Sequence, residues 1–265
     1  MNLKSKLLLA LLATSSAAFA ETAPEAPEVS YNVGVVSQYR YRGIAQTKGN
    51  PALQGGVDYA NANGFYLGTW ASTIKWIKDA SNGTAGSAPT TGAPKGPVEL
   101  DLYGGYKFEA ADIAYDVGYL RYQYVGNTYK DAVPGSTVNA NTDEAYLAAT
   151  YGPTTLKYSY AFSDLFGNAN SRGSSYLDLS ATFDLGAGYS LVPHVGHQTV
   201  KHLSTTTNMG YNDVALTLNK DLGDGLTASV AAIATTGKAV DFQATSASSY
   251  NTAKSTLVVG VKYAF

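Results

Sequence analysis

Two arginines spaced two apart, in Gln38-Tyr-Arg-Tyr-Arg-Gly43, are the residues of this chain best suited to chemistry. In an extended strand alternate side chains share a face, so Arg40 and Arg42 are expected together on one side and Tyr39 and Tyr41 on the other. Two guanidiniums inside a closed sheet have two uses. Free, they form a constriction that favours anions. Paired with Glu99, Asp101, Asp116 or Asp178, they form an ion cluster that braces the wall. Lys107, Lys157 and Lys262 are the further basic candidates, so acids and bases nearly balance and no charge preference follows. Catalytic and metal chemistry have weaker footing. His194 and His197 are three apart and fall on opposite faces of a strand, and His197 and His202 are also at odd spacing, so no pair shares a metal. A serine–histidine pair drawn from Ser190 or Ser204 and these histidines is the enzymatic alternative, a lipid hydrolase, but no motif fixes the geometry that defines a triad. Asp221-Leu-Gly-Asp-Gly225 lacks the carboxylate spacing of a calcium loop and reads as a hairpin turn. There is no phosphate loop, no basic patch for nucleic acid and no cofactor motif.

The elements that must position these residues are strands. Alternation and turn residues place twelve of them near 29–42, 52–60, 64–73, 97–108, 111–124, 143–151, 154–163, 174–184, 187–200, 210–220, 226–235 and 255–265. Every second connection is short, such as Glu109-Ala110 and Gly152-Pro153. The others, at 43–51, 74–96, 125–142, 164–173, 201–209 and 236–254, are longer. Outer-membrane barrels segregate loop length in this way and have an even strand count, whereas a soluble sandwich has no reason to. Each strand has an apolar and a polar face. Leu100, Leu102, Tyr106 and Phe108 oppose Glu99, Asp101, Tyr103 and Lys107; Leu156, Tyr158 and Tyr160 oppose Lys157 and Ser159. A charge on the lipid side costs about 2–4 kcal/mol at the midplane, so the charged face is expected inside, and Tyr39 and Tyr41 toward lipid. Aromatics near strand ends (Tyr59, Tyr66, Trp70, Trp76, Tyr124, Tyr151, Tyr189, Tyr211 and Tyr263) suit interfacial girdles.

The termini and composition agree. Lys4 and Lys6, an apolar run from Leu7 to Ala13 and Ala18-Phe19-Ala20 form a secretory signal peptide over 1–20. Residues 21–28 read as a disordered acidic leader, and 29–265 as the barrel. The final strand carries Leu257, Val259, Val261, Tyr263 and Phe265 on one face, and its terminal aromatic is the expected signal to the barrel assembly machinery. Only 14% of residues are charged, against roughly 25% in soluble domains, yet no later stretch is apolar enough for a membrane helix. The 21 tyrosines and 27 glycines suit strands and tight turns, and the absence of cysteine excludes disulfides and a lipid anchor. Ser81 to Pro97 and residues 243–254 are low in complexity and are expected as flexible outer loops.

Ser37-Gln-Tyr-Arg-Tyr-Arg-Gly-Ile-Ala-Gln-Thr47, Pro51-Ala-Leu-Gln-Gly-Gly-Val-Asp-Tyr59 and Gly64-Phe-Tyr-Leu-Gly-Thr-Trp-Ala-Ser72 resemble the TorF-type porin family of proteobacteria, also catalogued as an outer-membrane family of unknown function. The stretch from Tyr176 to Gly196 and the terminal aromatic fit the same pattern, and the Gly/Ser/Thr-rich insert at 80–97 departs from it. The resemblance implies an antiparallel up-and-down barrel in the outer membrane of a Gram-negative bacterium, with presumed pore function, and supplies no solute and no site residues. The expectation is a porin-like channel for small hydrophilic solutes. The alternative is a structural or adhesive barrel plugged by its own ion pairs. Oligomeric state is not readable from the sequence.

Overall fold

The computed structural model describes residues 27–80, 95–132, 136–201, 209–237 and 250–265. The expected signal peptide, most of the leader, most of the 80–97 insert and His202 lie outside them. Twelve antiparallel strands close into a barrel: β1 (Glu28–Val36), β2 (Ala52–Ala60), β3 (Phe65–Thr73), β4 (Val98–Ala110), β5 (Ile113–Tyr124), β6 (Thr142–Tyr151), β7 (Thr154–Ala161), β8 (Ser175–Ala181, continued by Phe183–Gly186), β9 (Tyr189–Thr199), β10 (Tyr211–Gly223), β11 (Leu226–Thr235) and β12 (Thr256–Ala264). Each strand pairs with its neighbours in sequence. The seam closes where β1 meets β12, with Val33 opposite Tyr263 and paired backbone bonds between Tyr31 and Phe265. The break in β8 is the single residue Thr182, whose N–H still bonds Pro153 O at 2.8 Å, so the two segments act as one wall strand. Closure leaves no wall strand without a neighbour on either side, as a wall in lipid requires. No helix among the described residues is long and apolar enough to cross a membrane.

Strand alternation sets two faces. Outward, Val33, Leu53, Leu67, Leu102, Leu147, Leu179, Leu216 and Val261 are exposed around the ring. Such an apolar band is stable only in a non-aqueous surrounding. At the end that carries the short turns and both described termini, outward rings stack, Tyr31 on Phe265 at 5.6 Å, Phe265 on Tyr263 at 5.2 Å and Phe108 on Tyr115 at 5.1 Å, and Phe65 meets Tyr106 at a tilt at 4.7 Å. An outward ion pair, Arg121 to Asp143 at 2.9 Å, lies toward the long-loop end, with the Tyr119 hydroxyl donating to the same carboxylate at 2.6 Å.

The first strand departs from expectation. It ends at Val36, and residues 37–47 turn into the lumen as a two-stranded ribbon, Arg40–Tyr41 paired with Ile44–Ala45. Its turn is Arg42-Gly43 with φ of 46° and 77°, both left-handed. That is the two-residue hairpin whose twist matches its strands, and glycine relieves only its second position. Tyr39 and Tyr41 therefore do not face lipid. They are buried inside, where Tyr39 packs edge-on against Trp70 at 5.5 Å and Tyr41 against Tyr122 at 5.5 Å. Tyr66, Trp70, Trp76, Tyr124 and Tyr211, expected in the girdles, also lie inside. For the four on strands, inward parity overrides nearness to a strand end: Tyr66 and Trp70 share that of Ser72, Tyr124 that of Asp116 and Tyr211 that of Asp213. Trp76 stands on the short helix Trp76–Ala80 and packs against Tyr124 at 5.1 Å.

Candidate functional site in the barrel lumen

The ribbon is held across the lumen from base to tip. At the base, Ala45 N–H bonds Thr252 O at 2.9 Å, and the N–H of Lys75 bonds Gln46 O at 2.9 Å. Arg40 remains at this base: its Nη1 donates to Gly43 O at 2.9 Å and Thr252 O at 2.8 Å, and its Nε to Gln38 Oε1 at 3.0 Å. Arg42 points away from Arg40 and reaches β6. Its two Nη atoms donate to Glu144 Oε1 and Oε2 at 3.0 and 2.7 Å, and Nη1 also donates to Gln198 Oε1 on β9 at 2.9 Å. The guanidinium lies 4.3 Å from the ring centroid of Tyr176 and 4.8 Å from that of Tyr41. A two-toothed contact of this kind fixes both distance and orientation. The tip abuts β10 and β11, since a Cβ added at Gly43 would sit 2.8 Å from Asp213 Cβ and 3.2 Å from Thr235 Cβ. The two arginines are thus not side by side. The partner of Arg42 is Glu144, which sequence reasoning did not single out.

The remaining sequence candidates occupy the inward face of the wall. Lys107 pairs across the ladder with Asp116, and Asp116 with Ala148. The same rung continues through Lys157, Asp178, Gly196 and Asp213 to Thr235. Seven adjacent strands, β4 to β10, therefore carry one belt of cations and carboxylates, interrupted by the small residues Ala148 and Gly196. Lys157 lies 3.9 Å from the ring centroid of Tyr146, and Lys107 lies 5.2 Å from that of Tyr66. The Tyr66 hydroxyl donates to Asp116 at 2.6 Å. Lys262 faces inward on β12. Asp178 accepts from or bonds His194 Nε2 at 2.7 Å, and the Tyr176 hydroxyl donates to Asp213 at 2.9 Å. His194 thus has acidic neighbours on both adjacent strands, which its sequence surroundings did not indicate, while His197 faces outward and meets Asn212 at 2.7 Å. Among the described residues no group of three or more potential ligands is arranged to hold a metal ion.

Tyrosines line this face by lying flat over glycines. Tyr103 stands opposite Gly68, Tyr66 opposite Gly105 and Tyr146 opposite Gly118. Any Cβ at these glycines would enter the facing ring. Each phenol is thereby drawn along the wall to a polar partner: Tyr103 to Asp58, Tyr66 to Asp116 and Tyr146 to Tyr66. Aromatic cover of strand glycines stabilises the sheet.

A closed twelve-stranded barrel, apolar outside and charged inside, has the fold of outer-membrane porins and channels. Solved structures of that class match it: a KdgM porin in complex with disordered oligogalacturonate (TM-score 0.50, 11% identity, 89% of this chain and 98% of that one), a NanC porin (0.52, 10%, 89% and 99%) and an outer membrane channel from Pseudomonas putida F1 (0.51, 12%, 94% and 98%). The chain belongs to the Gcw_chp family, described as bacterial protein of unknown function, whose model matches residues 20–265. No curated protein sequence matches it.

Proposed function

We propose that the protein is a porin-like channel that lets small hydrophilic solutes diffuse across the outer membrane through a lumen narrowed by the ribbon of residues 37–47. The observation that carries this reading is the belt of charged side chains on the inward face of the wall from Lys107 to Asp213. Eight-stranded barrels are just filled by side chains and 16–18-stranded ones are open. Twelve strands with one inserted ribbon therefore suit solutes of small size. In this reading the chain is exported by the 1–20 signal peptide, the short turns face the periplasm, and the Phe265 strand is the contact for the assembly machinery. Replacing Phe265 with serine is expected to reduce heat-modifiable, membrane-inserted protein; normal insertion contradicts that role.

A second reading is favoured by one specific observation, the burial of Arg42 and Glu144 within the lumen: a barrel plugged by its own ion pair and serving as a structural or adhesive wall. Conductance of purified protein in planar bilayers decides between them. Discrete, small, ohmic steps support the channel. Silence across salt and pH supports the plug.

A further inference from the structure

Glu99 and Asp101 are a pair of buried carboxylates on the lumen wall. They are two apart on β4 and share its inward face, at 2% and 3% exposure. Among the described residues, no lysine, arginine or histidine forms an ion pair with either. Glu99 accepts from the Tyr39 hydroxyl at 2.6 Å. Asp101 has a buried Oδ1 with no hydrogen-bond partner. Glu144 by contrast holds Arg42 and Asp178 holds His194, while Asp116, opposite Lys107 in the ladder, also keeps one buried oxygen without a hydrogen-bond partner. A buried carboxylate oxygen without donor or cation is unfavourable, so the orphaned oxygen of Asp101 calls for a partner that none of the described residues supplies.

The surroundings indicate the chemistry of that partner. Asp101 stands directly opposite Trp70 on β3 and Tyr122 on β5, and Glu99 opposite Tyr124. Tyr39 of the ribbon closes over Trp70 and completes a wall of aromatic rings beside the two acids. Ring faces attract cations that carry little hydration, most strongly when desolvated, and this pairing with carboxylate recognises alkylated ammonium groups. A hydrated metal ion suits the site less well, because rings replace the oxygen ligands that hard cations require.

We infer that Glu99 and Asp101, with Trp70, Tyr122, Tyr124 and Tyr39, form a luminal binding site for a small alkylammonium ion. The inference deepens the channel reading and rests on it, since it names a solute class for that lumen. Because the ribbon supplies Tyr39, occupancy and ribbon position are coupled: a solute entering this site meets both the wall and the constriction.

The chain has two tryptophans, so a Trp76→Phe background isolates Trp70 as a reporter beside Asp101. Detergent-solubilised, heat-modifiable protein is titrated with tetramethylammonium chloride, with sodium chloride at equal ionic strength as reference. A saturable fluorescence change with tetramethylammonium alone is expected. It should weaken at least tenfold in Asp101→Asn and persist in Asp112→Asn, which removes an exposed turn carboxylate. No saturable change, or an unaltered one in Asp101→Asn, overturns the site. Bilayer recording of the same proteins separates the two readings. Block of current by tetramethylammonium that Asp101→Asn relieves supports both the site and the channel. Saturable fluorescence in a barrel that never conducts keeps the site and rejects the channel. Conductance indifferent to tetramethylammonium, with no fluorescence response, rejects the site and keeps the channel.

Discussion

The wall and the ribbon of this barrel are built from similar residues and held by different physics. A wall strand such as β4 is bonded to neighbours along its whole length on both sides, and its outward residues gain from an apolar surrounding. No single side chain decides its position. The ribbon has one short ladder of its own, a few backbone bonds at its base and a handful of side-chain anchors, of which the two-toothed pair of Arg42 with Glu144 is the strongest and Tyr39 on Glu99 and Arg40 on Thr252 O are the others. It also carries a non-glycine residue in left-handed backbone at its tip, a strain of about 1–2 kcal/mol. The wall is thus redundant and the ribbon is not, which locates the variable part of any passage in residues 37–47.

The contrast is sharpest when charge is misplaced. Glu144→Leu leaves the Arg42 guanidinium buried without its carboxylate, and breaking a buried pair in this way costs about 3–5 kcal/mol. Denaturant unfolding in micelles should show that loss, and Arg42→Met added to it should restore most of the stability, since the pair can be exchanged for apolar side chains of similar volume. A double variant as weak as the single one means that the pair is not the anchor. On the wall, Leu147→Arg at the middle of β6 should cost about 2–4 kcal/mol, while Tyr151→Arg at the turn end should cost about 0–1 kcal/mol. Equal costs at the two positions would show that the outward band is not in lipid.

These effects follow from what was and was not legible in the residues. Period two is a local property, so the apolar and charged faces of β4, β7 and β12 could be read directly, as could the alternation of short and long connections. The ribbon misled because Gln38 to Arg42 alternates as well as any wall strand does, and tyrosine suits both a lipid boundary and a packed interior. The contrary signal was Arg42-Gly43, a two-residue turn at the end of what read as a single strand of 29–42. Tyr66 and Trp70 were misassigned by their nearness to a strand end, although their parity with Ser72 already placed them inside. Glu144 as the partner of Arg42, and Asp213 beside His194, depend on which residues face each other across the barrel. That follows from register and from the path of the ribbon, neither of which any one segment encodes.

A smaller effect probes the tip. Gly43→Val places a branched side chain at φ 77° and a Cβ 2.8 Å from that of Asp213. The ribbon should lift from β10 at a cost of about 1–2 kcal/mol, visible as noisier current with barrel content unchanged on gels. Unaltered current and stability would mean that the tip does not rest on that wall.

The most direct test replaces residues 38–46 with a short glycine linker and compares single-channel conductance with that of the intact chain at the same salt. The strands and their pairing do not depend on the ribbon, so the shortened protein should remain heat-modifiable and conduct in larger, steadier steps than the intact protein does. Equal conductance in the two proteins, or silence in both, would contradict a channel whose width is set by that inward fold.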